Sequence, residues 1–197
     1  MTSPLAMSLP PEDARTRTNA ALGMVIFVGS WTMAFGVLVL SLFILRNREP
    51  IWPPQGVILP SLSLALLATG VLALSSFVLH KAVGNVVSSR NGAVRLWGIA
   101  LALGLVFAGL QTWLWVDLWT AGRQPWAGGI YESLFYGLTW FHGVHVVCGL
   151  LALVVGQIGL MRGDYGSHRY GALSNMALFW HFVDALWIVL FLCLFII

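Results

Sequence analysis

The chain has 197 residues, of which 59% are hydrophobic and only 9% charged, with a formal net charge of +3. Soluble domains carry about 25% charged residues, so the apolar surplus has to face lipid. The small positive charge, spread over loops, argues against a nucleic-acid groove. Cys148 and Cys193 both lie inside apolar runs and read as small core residues, not as a disulfide framework.

The opening stretch, MTSPLAMSLPPEDARTRTNA, is polar and proline-containing, and the apolar run after it is too long for the core of a signal peptide. Residues 1–19 are expected to form a cytoplasmic tail. A bilayer core takes about 20 apolar residues in helical form, and five stretches reach that length. The first, 20–45, stops at the charged turn Arg46-Asn47-Arg48-Glu49-Pro50. The second, 57–79, follows the breaker WPPQG (52–56), and the third covers 96–119. The fourth runs over 131–161 and the fifth over 175–197. The connections are short and rich in Gly, Pro, Arg and Asn, so neighbouring helices are expected to pack antiparallel. The fold class is therefore all-α: one polytopic domain, 20–197, of five transmembrane helices.

Lys and Arg bias sets orientation. Seven basic residues (Arg15, Arg17, Lys81, Arg90, Arg95, Arg162 and Arg169) fall on the side of the tail, against Arg46, Arg48 and Arg123 on the other. This predicts the amino terminus inside and the carboxyl terminus outside. Trp52, Trp115, Trp119 and Trp126 then cluster near the outer surface as an interfacial belt.

Polar residues stand where lipid should be. In TWFHGVHVVCGL, His142 and His145 are three positions apart, and in WHFVDALW so are His181 and Asp184; each pair shares a helix face. At a rise of about 1.5 Å per residue, His145 and Asp184 both lie about 20 Å along their helices. An unpaired carboxylate at that depth costs several kcal/mol and points at a partner inside the bundle. The leading reading is structural: hydrogen bonding between imidazole and carboxylate ties the fourth helix to the fifth. Proton handling and metal or haem ligation are the competing readings. Gly143 and Gly149 argue for close helix contact. Gln111 reads as another interhelical tie. Asp117 and Glu132, near the outer ends, read as solvated, and His80, Lys81 and His168 as surface residues. Trp180 and Trp187 share a face with Asp184 and read as a helix–helix or subunit seam.

Four motifs, in order and at matching spacing, carry a resemblance. YESLFYGLTWFHGVHVVCGL (131–150) resembles a helix of cytochrome c oxidase subunit III, and FWHFVDALW (179–187) is similar to that family's terminal-helix signature. WPPQG (52–56) resembles its W-P-P-x-G turn, and LGLVFAGLQ (103–111) its L-G-x-x-F-x-x-x-Q. The resemblance covers nearly everything after residue 20 and suggests the five-helix bacterial type, in a bacterial inner (plasma) membrane.

It implies a non-catalytic subunit with no catalytic, cofactor-binding or metal residue of its own. Haem and copper would sit in partner subunits, oxidase catalytic subunit I and subunit II, and cytochrome c would be met through the complex. Bound phospholipid, support of assembly and stability, and help with proton uptake during electron transfer to dioxygen are further implications. The resemblance raises the weight of the structural reading for His142, His145, His181, Asp184 and Gln111. Subunit III of a quinol oxidase and an accessory subunit of a nitric oxide reductase are the alternatives; WPPQG favours the cytochrome c type. An independent membrane enzyme or carrier using the His/Asp cluster is the reading from a different class.

The chain departs from the family in three places. GMVIFVGSW puts Trp31 where the pattern has a membrane glutamate, and QTWLW puts Leu114 and Trp115 where Glu-Tyr is usual. Trp140 replaces a glycine before Phe-His-Gly, so packing there is expected to be rearranged.

Overall fold

The structure, a computed structural model, describes residues 11–52, 57, 60–86, 88–126, 129–165 and 170–196. Its elements are α1 (Pro11–Arg46), α2 (Leu62–Asn85), α3 (Arg90–Thr120), α4 (Ile130–Arg162) and α5 (Tyr170–Phe191), the last running on into a π-helical turn (Leu192–Ile196). Among the described residues there is no strand. All five helices are long and apolar enough to cross a membrane. Residues 53–56 of the WPPQG motif and His168 lie outside the described residues.

Most helices overrun their apolar stretches, because nothing in the flanking polar sequence breaks them. α1 reaches back to Pro11, although its apolar section starts at Thr18. α2 starts later than the apolar run at Val57, because Pro60 and the cap Ser61 intervene. Ser61 has extended backbone and its side chain accepts from the Leu64 N–H, leaving one orphan donor fewer at the helix start. At the far end of α4, Gly163 adopts φ 85° and the Asp164 N–H donates to the Gly159 carbonyl at 3.0 Å. Only glycine enters that left-handed turn without strain.

α2 and α3 form an antiparallel hairpin and the most extensive interface of the bundle. The Ser75 hydroxyl donates to the Ala100 carbonyl across it at 2.8 Å. α4 packs on α3 through two indoles: Trp97 donates to the Leu153 carbonyl at 2.8 Å and Trp115 to the Thr139 hydroxyl at 3.1 Å. Arg90, opening α3, donates to the carbonyls of Leu160 and Met161 that end α4. α5 closes the bundle against α2 and α4. α1 is held least. Only Phe35 and Leu42 of its described side chains are buried, and they are two turns apart on one stripe.

Small residues mark the tight crossings, as expected where lipid gives helices no hydrophobic reason to associate. A Cβ at Gly149 would stand 2.8 Å from the Trp180 ring, and one at Gly143 2.9 Å from Trp115. Both glycines therefore serve the close contacts expected from the sequence.

Candidate functional site

Apart from Asn175, whose amide donates to the Ala20 carbonyl of α1 at 3.5 Å, the hydrogen-bonded side chains of α5 face α2. The Trp187 indole donates to the Thr69 hydroxyl at 2.9 Å, and the Trp180 indole to the Ser75 hydroxyl at 3.2 Å. The Ser76 hydroxyl is hydrogen-bonded to Nδ1 of His181, and the Asp184 carboxyl follows one turn along on the same face of α5. His80, exposed one turn further along α2, has its ring centroid 6.2 Å from that of His181. Antiparallel packing accounts for the order: as α2 runs from Thr69 to His80, α5 runs back from Trp187 to Trp180. Trp180 and Trp187 are fully buried and form the helix–helix seam expected of them.

The α4 histidines are elsewhere. His145 shares Nδ1 with the carbonyl of Phe141, one turn back in its own helix, at 2.7 Å. Its ring lies edge-on to Trp31 of α1, with centroids 4.3 Å apart. His142 is 1% exposed, sits 5.5 Å from the Trp187 ring, and finds no hydrogen-bond partner among the described residues. The same holds for both amide atoms of buried Gln111 and for Oδ1 of Asp184. The expected imidazole–carboxylate tie between α4 and α5 is thus replaced by a hydroxyl–imidazole tie between α2 and α5. The three-residue spacing fixed which side chains share a face. It left open which neighbour that face meets.

Two further sequence readings are corrected. Glu132 is not solvated: it is 4% exposed, accepts the Gly129 N–H at 2.9 Å and pairs with Arg123 at 3.2 Å. Arg123 folds back from the preceding turn to reach it. Cys148 is exposed on the outer face of α4 and Cys193 is half-buried, so neither is a core residue in the chain by itself. Asp117, His80 and Lys81 are exposed as expected.

Sequence reasoning missed Thr69, Ser75 and Ser76. The available signal was their hydroxyls in an otherwise apolar run, with Thr69 and Ser76 two turns apart on one face.

Glu132→Ala removes both the cap and the ion pair and is expected to destabilise by about 2 kcal/mol. Glu132→Gln keeps an acceptor for Gly129 and should lose about half of that. Thermal melts of the two variants side by side measure the difference, and equal melts would refute the double role.

A family model described as cytochrome c oxidase subunit III matches residues 13–197. The chain belongs to the cytochrome c oxidase subunit III family. It is 33% identical over 181 residues to cytochrome c oxidase subunit 3 of Thermostichus vulcanus, covering 89% of this chain and 86% of that protein. The Synechocystis protein of the same name is also 33% identical, over 89% of this chain and 74% of its own length. A probable cytochrome c oxidase subunit 3 of Rickettsia bellii is 28% identical over 193 residues.

The chain therefore has the role of an oxidase subunit III, a multi-pass membrane component of an oxidoreductase complex. Against the family pattern described above, each departure has a structural replacement. Trp31 lays its indole on His145 and on Phe141, whose centroid is 5.7 Å away. Leu114 is 2% exposed. Trp115 covers Gly143 and bonds Thr139, while Trp140 packs edge-on to Trp115 at 6.5 Å and lies 5.2 Å from Tyr136. Among the described residues no group of three or more His, Cys, Asp or Glu side chains gathers as a metal site would need.

Proposed function

We propose that this chain is the non-catalytic subunit III of a bacterial haem–copper cytochrome c oxidase, embedded in the inner membrane with its amino terminus inside. In this reading it holds no redox centre. Electrons pass from cytochrome c through subunit II to the haems and copper of subunit I, where dioxygen is reduced. The chain supports assembly and stability of subunit I, its proton uptake, and the lipid around it.

The observation that carries the reading is the family match over residues 13–197, joined to a bundle whose polar side chains are spent mainly on helix ties. The outward apolar faces support a lipid or protein neighbour around much of the circumference: Met33 of α1 is 75% exposed and Trp113 of α3 is 68% exposed. The seven-to-three bias of basic residues supports the orientation.

Affinity purification under mild detergent tests the proposal. The chain should bring down a many-helix partner with haem absorption bands and a complex that oxidises reduced cytochrome c. A stable chain that purifies without haem-bearing partners would overturn it, and a complex that turns over quinol but not cytochrome c would reassign the donor.

A further inference from the structure

We propose that Asp184 is a proton-storing site within the membrane, loaded from the inner face through His80, His181 and Ser76. The proposal deepens the reading of the chain as a support for proton uptake and rests on it for which face is inner.

The seam between α2 and α5 contains two kinds of hydroxyl. Those of Ser75 and Thr69 are fully committed: each donates to a carbonyl, of Ala100 and Ala65, and each accepts an indole N–H, from Trp180 and Trp187. A hydroxyl so held has no free direction in which to pass a proton. Ser76 is different. Its neighbours are the Nδ1 of His181 and the carboxyl of Asp184, both groups that gain and lose protons. The exposed imidazole of His80 completes the line on the α2 side, at a ring separation of 6.2 Å that one water or a small ring rotation spans.

Depth gives the line a direction. His80 is five residues from the end of α2, about 8 Å, whereas Asp184 is fourteen residues into α5, about 20 Å. Asp184 is 8% exposed, and its Oδ1 has no hydrogen-bond partner among the described residues. The one ion pair among them is Arg123 with Glu132, so no cation balances Asp184 there. A carboxyl so placed is held most cheaply with its proton on. The groups that face the pair are accounted for on each side. α2 supplies His80 and Ser76, with Lys81 turned away over the Phe77 ring at 5.4 Å. α4 supplies His142 against Trp187, α3 supplies Phe107 against the same indole, and α1 meets α5 through Phe27 on Phe179.

The transfer balances without a co-reactant. His80 takes a proton from inner water and passes it to Nε2 of His181. His181 releases the proton on Nδ1 to the Ser76 oxygen, and Ser76 gives its own hydroxyl proton to Asp184. Further along the seam the Thr69 hydroxyl is committed to the Ala65 carbonyl and the Trp187 indole, so in this proposal the site fills and empties from the His80 side.

Infrared spectroscopy of the purified complex tests this. A protonated-carboxyl C=O stretch should vanish in Asp184→Asn and shift on transfer to D2O. In Ser76→Ala and in His80→Phe the band should remain, with exchange slowed about tenfold or more. If Ser76→Ala disturbs folding, His80→Phe, on the exposed surface, carries the measurement. Absence of an Asp184-dependent band, or unchanged exchange in His80→Phe, would overturn the proposal. A complex that assembles and turns over with cytochrome c while lacking the band would do so without touching the reading as subunit III.

Discussion

Trp180→Ala is expected to destabilise the bundle by about 3–5 kcal/mol, the range for removing a fully buried large aromatic side chain. The residue is 0% exposed and touches three helices besides its own. Its ring stands where a Cβ at Gly104 of α3 or Gly149 of α4 would come within 2.8 Å, and its indole donates to Ser75 of α2. Ser75 in turn bonds the Ala100 carbonyl, so one side chain supports the α2–α3 hairpin and fastens α5 to it. Alanine opens a cavity at that junction and frees a hydroxyl that has no water to turn to. Trp180→Phe keeps most of the ring contact and loses the N–H, and should cost about 1–2 kcal/mol. Reversible unfolding in mixed micelles gives both values. A Trp180→Ala variant that unfolds at the wild-type midpoint would show that the four helices do not converge on this indole.

The number and class of elements were legible because a helix must bring about 20 apolar residues to cross lipid, and charged or proline-rich turns cannot be hidden there. Close crossings at Gly143 and Gly149 were legible for a related reason, since small residues are what let helices approach in lipid. The partners were not. α5 is apolar almost all round, so its sequence could not say that the His181–Asp184 face meets α2 instead of α4. Glu132 differs from its expectation because burial of an acid near a helix start depends on a basic residue of the preceding turn folding back over it, and Arg123 does so. His142 shows the remaining gap. Its burial beside Trp187 is a property of three helices at once, and no local spacing encodes it. Ser76 lay hidden for the same reason: a serine in an apolar run looks like any small residue until the imidazole across from it is known.

Gly156→Val should rival the loss of Trp180, through overpacking instead of a cavity. A Cβ at Gly156 would stand 2.5 Å from Cζ2 of Trp97, 2.9 Å from Cε2 and 3.2 Å from Nε1. The indole cannot simply turn aside, because it is 0% exposed and its N–H donates at 2.8 Å to the Leu153 carbonyl, on the same helix as the glycine. The added side chain therefore forces α3 away from α4 or breaks that bond. Overpacking contributes about 1–3 kcal/mol, and an indole N–H left unsatisfied in an apolar interior about 1–3 more. Gly156→Ala carries the same first clash with less bulk and should fall between Val and wild type. The contrast with other helical glycines isolates the cause. A Cβ at Gly109 or Gly137 meets nothing within 4 Å, so alanine there should stabilise its helix by about 0.5–1 kcal/mol through backbone entropy alone. Thermal release of the chain from its complex orders the four variants. If Gly156→Ala behaves like Gly109→Ala, the indole does not lie against α4; if Trp97→Leu restores Gly156→Val, the clash is with that ring and nothing else.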